Sequence, residues 1–355
     1  MRRILLALSL CLALALLAAP AILAAGPDTT SAVAWLRQQQ QPDGGFAGLN
    51  GKTDPSTTAD VALALSAAGV DPAGVATSGK SVLDFLRANA AGYGASTGGA
   101  AKLALAAEAA GLDPRSFGGT DLIGKLQSAY DAKTGLYDAQ VYVDGLAVLA
   151  LHGAGASLGT DSVKGLTSHQ AADGSWAFDG DTAPGKGDSN TTAIVLQALV
   201  AAGASGSPAI QHGIAYMTSA RTPDGAYVSQ PGQENPPVGD ANSTALAIES
   251  LLATGQSIDS PSVSAALTAL RALQNPSGAF AYRPDAKQDN LLATVQAIPA
   301  LAGWTYLQPR SGGVAGTVAP ATGGARAGVP LVALAAGLAL AALVLGGMLR
   351  LRATD

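Results

Sequence analysis

Six glycines punctuate the chain at a near-constant interval: Gly69, Gly111, Gly155, Gly203, Gly255 and Gly303, roughly 47 residues apart. Each follows a run rich in Ala, Val and Leu, and a glycine just past an apolar helical run takes the left-handed C-terminal cap. A period of this length with helices inside it marks stacked supersecondary units, none of which buries its own apolar face alone. The first unit shows the plan. Ala32 to Gln41 reads as a helix with Val33, Leu36 and Gln40 on one stripe, and Pro42-Asp43-Gly44-Gly45 breaks it and delivers one aromatic residue, Phe46. A polar loop then leads to Asp54-Pro55-Ser56-Thr57-Thr58, the start of a second helix that is apolar almost all round.

The turns recur at Gly92-Tyr93, Gly135-Leu136-Tyr137, Gly174-Ser175-Trp176, Gly225-Ala226-Tyr227 and Gly278-Ala279-Phe280. The polar helix starts recur at Asp188 to Ala193 and Asp240 to Ala245, while units two and three lose them. Between units, Gly69-Val70-Asp71-Pro72 and Gly111-Leu112-Asp113-Pro114 read as a glycine cap, an Asp N-cap and a Pro at the first helical position. Such short links make consecutive helices antiparallel. Second helices that are apolar on every side must be enclosed, which favours a closed ring over an open superhelix. The expected fold is therefore all-α: a closed (α/α)6 toroid of six helical hairpins over residues 32–307, with Asp54, Asp188, Asp240 and Asp289 around a single mouth.

The flanks read differently. Met1-Arg2-Arg3, an apolar run from Ile4 to Ala19, and small residues up to Ala25 have the three regions of a secretory signal, residues 1–25. The only cysteine, Cys11, lies inside it, so the exported chain is expected to hold no disulfide, thiol nucleophile or thiolate metal ligand. Residues 308–328, rich in Gly, Ala and Pro, read as a linker. Val329 to Leu349 is about 21 apolar residues, long enough to span a bilayer. Arg350 and Arg352 follow, which places the tail, residues 350–355, in the cytoplasm and the repeats outside, at a bacterial cell surface. A net charge of −5 with 13% charged residues gives no basic face for nucleic acid.

The Gln-rich helix ends, Asp-Gly-aromatic turns and Thr-Thr-Ala helix starts resemble the repeats of the terpenoid cyclase and protein prenyltransferase superfamily, over roughly Ala32 to Leu307. That resemblance implies an α-α toroid of six outer and six inner helices with the binding site at one mouth of the ring. Within it, Gly278-Ala279-Phe280, Gln288 to Leu301 and Thr305-Tyr306-Leu307 are similar to the end of the helical domain of the intrinsic factor and transcobalamin branch, as is the inner helix Tyr142 to Leu151. This branch implies a corrinoid as a possible ligand. Ala319-Pro320-Ala321-Thr322-Gly323-Gly324, followed by the apolar span and a basic end, resembles a sortase sorting signal with Ala319 in place of the usual Leu.

The chemistry that this superfamily performs is incompletely provided for. Zinc prenyl transfer needs a thiolate ligand, and the exported chain has none. His152, His169 and His212 sit at unrelated repeat positions and read as surface or helix-end residues. The nearest approach to the Asp-x-Asp-Asp acid of class II cyclases is Asp179-Gly180-Asp181-Thr182, in a polar loop, and 5% aromatic residues offer few faces to a carbocation. An inner-helix Asp is first of all an N-cap. Asp188, Asp240 and Asp289 could still converge as carboxylates for glycan cleavage if the ring closes. No catalytic or metal residue is therefore assigned. The expectation is a surface-tethered, non-catalytic module for a small molecule or lipid, with a terpene cyclase-like or glycan-active enzyme as the alternative. Its ligand contacts are expected from Tyr142, Asp188, Asn190, Asp240, Asn242, Gln288, Asp289 and Asn290, with Tyr282 and Trp176 as further pocket-lining aromatics.

Overall fold

The structure is a computed structural model that describes residues 27–307. Twelve α-helices follow one another there: α1 (Pro27–Gln39), α2 (Pro55–Ala67), α3 (Val82–Tyr93), α4 (Thr97–Ala109), α5 (Leu122–Ala129), α6 (Val141–Gly153), α7 (Ser162–Ser168), α8 (Ser189–Ala201), α9 (Pro208–Ser219), α10 (Ala241–Ala253), α11 (Pro261–Arg271) and α12 (Leu291–Leu301). The even-numbered helices form the inner ring, each packed on the next, and α12 packs on α2 to close it. The odd-numbered helices lie outside, and the first of them, α1, packs on α12 across the seam. Arg271 Nε bonds Asp28 Oδ2 at 2.9 Å over that seam, and the Gln274 amide donates to Asp28 O and Ser31 Oγ. The predicted closed ring of six hairpins is what the chain forms.

Inner helices are held at both ends by repeated devices. At their C-termini all six glycines have positive φ, from 62° at Gly155 to 95° at Gly255. In each, the residue after the glycine donates back five residues, as Val70 N does to Leu65 O at 2.8 Å and Trp304 N to Pro299 O at 2.9 Å. This double closure satisfies carbonyls that would otherwise face the core unpaired. At the N-termini, Asp54, Asp188 and Asp240 cap α2, α8 and α10, and Asn290 caps α12.

The fourth residue of the inner helix then ties the turn down. Thr58, Thr192, Thr244 and Thr294 accept the backbone N–H of Phe46, Trp176, Tyr227 and Phe280 at 2.8–3.1 Å, and their own hydroxyls donate to the cap carbonyl. One threonine thus fixes the aromatic residue against the helix it packs on. The glycine of each such turn is also sterically required. At Gly174, φ is +90° and a Cβ would lie 2.3 Å from His212 O of the next outer helix; Gly278 (φ +94°) meets Ser31 O at 2.4 Å in the same way across the seam. Gln40, Gln170 and Gln274 complete the joint, each donating to the turn glycine carbonyl and to the start of the neighbouring outer segment.

Several expectations are corrected. The first helix starts at Pro27 and not at Ala32. The chain is not wholly α: Ala76–Thr77 (β1) pairs with Lys80–Ser81 (β2), and Phe280–Arg283 (β3) with Ala286–Asn290 (β4), both antiparallel. Asp71-Pro72 starts only a single 3-10 turn, Pro72–Gly74, and Asp113 caps only a turn. The outer helices begin later, at the Ser81 capping box and at Asp121, because each Asp-Pro is followed by residues that fold back on the ring before a helix can start. Gly92-Tyr93 is no turn, since it ends α3, and Ser96 caps α4 almost immediately. The expected signal (1–25), linker and sortase-like motif (308–328), membrane span (329–349) and tail (350–355) lie outside the described residues. Among the described residues, no helix is long and apolar enough to cross a membrane.

Candidate functional site

Counting from each N-cap, positions two, six and nine of an inner helix fall on one stripe, the i, i+4, i+7 spacing that lines a single face. That face borders the bore of the ring. Position six carries Asp60, Lys102, Leu146, Ile194, Leu246 and Gln296, and position nine includes Gln197 and Glu249. These polar residues interrupt helices that are otherwise Ala, Leu and Val.

The mouth at the N-terminal ends of α2, α10 and α12 opens into a cavity of about 720 Å³. Its polar wall is Asn50, Asp54, Ser56, Asn242 and Asn290, its apolar wall Leu49, Tyr282, Leu291 and Leu292, and its floor Asp60 and Lys102. Lys102 Nζ bonds Asp60 Oδ2 at 2.8 Å and Ser56 Oγ at 2.9 Å. Although burial opposes its charge, the Asp60 carboxylate holds the ammonium pKa above its ordinary value. Below this pair the bore narrows to about 40 Å³ among Leu63, Leu105, Leu246, Glu249, Gln296 and the ring of Tyr142. Burial pushes the Tyr142 hydroxyl up to about 12. The far end is stopped by Trp304 and Tyr306, whose rings meet edge to face at 4.9 Å, and Tyr306 N donates across the ring to Gln197 Oε1 at 3.2 Å.

Three large hydrophobic side chains are exposed among the described residues, and two of them line the mouth. Leu49 and Tyr282 line the mouth, and Phe178 stacks on Tyr142 with centroids 5.8 Å apart. Tyr282 is set in place by its neighbour: Arg283 on β3 makes a bidentate pair with Glu234 at 2.8 and 3.0 Å, which ties the hairpin to the loop before α10. A groove of similar size lies outside the ring against α3 and α5, but its walls are mainly Ala, Gly, Ser and Thr with the Asp121 cap, and it has neither an exposed aromatic nor an ion pair.

The residues expected at the site separate into groups. Tyr142 lines the bore, and Asn242 and Asn290 line the mouth. Asn242 Oδ1 and Asn190 Oδ1, both at position two, are buried without a hydrogen-bond partner. Asp188 and Asp240 line neither cavity; their carboxylates are filled by Thr191 N and Oγ1 and by Ser243 N and Oγ, all at 2.8 Å. Burial raises both above the ordinary carboxylate range, with those hydrogen bonds opposing. Asp289 is not a helix start: it lies exposed on β4 and bonds Asn275 and Ser277, and Gln288 beside it is also exposed. Trp176 lines neither the mouth nor the bore, being fully buried with its indole donating to Leu166 O. Sequence reading missed Asp60, Lys102, Glu249 and Gln296. The available signal was a charged or amide side chain inside an apolar, fully enclosed helix, where only a lined bore can take it.

This architecture defines the class: a closed α-α toroid with a ligand-sized mouth at the N-terminal ends of its inner helices. Solved structures share it. The type II terpene cyclase MstE from Scytonema, as a single-residue variant in complex with its substrate geranylgeranyl dihydroxybenzoate, is 14% identical with a TM-score of 0.58, covering 78% of this chain and 96% of that one. An unsaturated glucuronyl hydrolase specific for heparin is 15% identical (TM-score 0.58; 78% and 95% covered), and haptocorrin in complex with Cbi is 16% identical (TM-score 0.52; 81% and 69%). At these identities the likeness is one of fold. No protein-family profile and no curated protein sequence matches the chain.

Proposed function

We propose that the protein is a binding module whose ligand, a small polar molecule of the size and hydroxyl density of a short glycan, sits in the mouth of the ring. The observation that carries this is the mouth itself. A cavity of about 720 Å³ lies in the size range of small-molecule sites, and it combines amide and hydroxyl groups with an exposed tyrosine. A polyprenyl tail or a corrin ring needs depth, and the bore beneath the Asp60–Lys102 pair has only about 40 Å³ to offer. Of the two carboxylates that line the mouth, Asp54 holds Thr57 N and Oγ1 and Asp60 holds Lys102. Both are engaged, which supports holding a ligand over acid-base turnover.

We propose further that residues 1–25 export the chain and that Val329 to Leu349 keep the ring at the outer face of the membrane, or that a sortase transfers it to the wall after Thr322. Protease added to intact cells then degrades the ring; protection of the ring with loss of the Arg350 end overturns this orientation.

The ligand reading is tested by thermal shift of the full-length chain against neutral and acidic oligosaccharides, a corrinoid and a prenylated aromatic acid. A ligand at a hundred times its dissociation constant adds about 2.7 kcal/mol. An oligosaccharide shift that Asn242→Ala abolishes is the expected result. A shift with the prenylated acid or the corrinoid alone overturns the polar-ligand assignment, and substrate turnover overturns the non-catalytic one.

A further inference from the structure

The bore contains a carboxyl group with no counterpart. Glu249, at position nine of α10, is 3% exposed and borders the 40 Å³ chamber. Among the described residues no hydrogen bond or ion pair reaches its carboxylate, whereas the other charges of the chamber, Asp60 and Lys102, neutralise each other. Lys102 is already committed to Asp60 and Ser56. Gln296 lines the same chamber and supplies a second idle acceptor, its Oε1, buried without a partner. Around them are the rings of Tyr142, Trp304 and Tyr306. A buried carboxylate without a partner is costly unless it is protonated or meets a cation, and aromatic faces favour a cation further. Acceptors, rings and an unpartnered carboxyl group select the same kind of group.

We infer that the chamber receives an alkylammonium group, whose N–H bonds go to the Glu249 carboxylate and Gln296 Oε1 and whose charge faces the three aromatic rings. The inference deepens the reading of the mouth as a ligand site and rests on it for access, since Asp60 and Lys102 belong to both cavities. The ligand in the mouth would then bear a primary amine, in the manner of an amino sugar. The volume, roughly that of one to three waters, admits a methylammonium-sized head and excludes a quaternary one. Burial raises the Glu249 pKa above the ordinary carboxylate range and a bound cation opposes that rise, so cation binding favours release of the carboxyl proton. The titratable groups facing it are Asp60, Lys102, Tyr142 and Tyr306. Burial raises both tyrosines, and Asp60 holds Lys102 above its ordinary value although burial opposes its charge.

The test is calorimetric titration of the full-length chain with methylammonium chloride, in two buffers of different ionisation enthalpy. Sodium chloride and tetramethylammonium chloride at equal ionic strength serve as controls. Methylammonium should bind with proton release and tighten with rising pH, while the controls do not bind. Glu249→Gln, which keeps the shape and removes the charge, should weaken binding about thirtyfold or more. Gln296→Leu should weaken it less, with proton release intact. Equal binding by wild type and Glu249→Gln, binding without proton release, or no binding by wild type overturns the inference. Asn242→Ala separates the two readings: it should abolish the oligosaccharide shift and leave methylammonium binding unchanged.

Discussion

The rim of the ring and its bore are built from the same six inner helices, about one turn apart, and they use polar residues in opposite ways. At the rim the cap and bracket residues repeat from unit to unit and are saturated: Asp188 fills both carboxylate oxygens with Thr191, and Thr192 both accepts from Trp176 N and donates to Asp188 O. In the bore the polar residues occur once each, and two are unsaturated, at Gln197 Nε2 and Gln296 Oε1. A residue that recurs in four units is doing what every unit needs, which is to start a helix and pin a turn. A residue that occurs in one unit answers to something that only the whole ring provides. In this toroid, the recurring bracket marks scaffold, and the polar residues that line mouth and bore mark the site.

Unit three sharpens that contrast, because there the rim device is imperfect. Asp144 replaces the bracket threonine; its Oδ1 accepts from Tyr137 N at 2.6 Å, but its Oδ2 is buried without a partner. Burial pushes its pKa up to about 7, against the opposing hydrogen bonds. A folded-state pKa above the unfolded one means that the acid form is favoured in the fold. The penalty is therefore absent below about pH 4, the unfolded value, and grows until the pH passes the folded value near 7. Asp144→Asn removes the titration. Its stability relative to wild type should rise by about 4 kcal/mol between pH 4 and pH 8 in denaturant melts; a pH-independent difference would mean that Asp144 is not buried as described.

A smaller loss is expected where the bracket is intact. Thr192→Val leaves Trp176 N–H buried and unpaired, and should cost about 1–3 kcal/mol in urea unfolding. Removing the cap itself, Asp188→Ala, should cost about 1 kcal/mol, the usual value for an N-cap. Neither change should alter ligand affinity if the rim is scaffold.

The glycine period, the apolar inner helices and the need to enclose them made the closed ring legible in the sequence, since helix caps and amphipathic period are local properties. The β3–β4 hairpin was not legible: its strands are short, and residues such as Lys287, Gln288 and Asp289 carry no β signal of their own. The site was legible only in part. The repeated Asp residues drew attention because they repeat, although a cap is the commonest reason for an Asp at a helix start. Asp60, Lys102 and Gln296 become equivalent only when each helix is counted from its N-cap, and in α4 and α12 that cap is Ser96 and Asn290 in place of the recurring Asp. The partner of Gln197, the backbone of Tyr306, lies 109 positions away and only ring closure brings it near.

The central claim is that ligand contacts come from the polar residues that line the mouth and bore, such as Asp60 and Asn242, and not from Asp188 and Asp240, the caps that line neither cavity. It is tested most directly by measuring the affinity of the full-length chain for the oligosaccharide giving the largest thermal shift, across two pairs of variants. Asp60→Asn and Asn242→Ala should each weaken binding about tenfold or more, the loss expected for a hydrogen bond to a charged group or a buried amide. Asp188→Asn and Asp240→Asn should leave affinity within about twofold of wild type, because their hydrogen bonds close on their own helices. The reverse pattern, with the caps decisive and Asp60 and Asn242 silent, would contradict it.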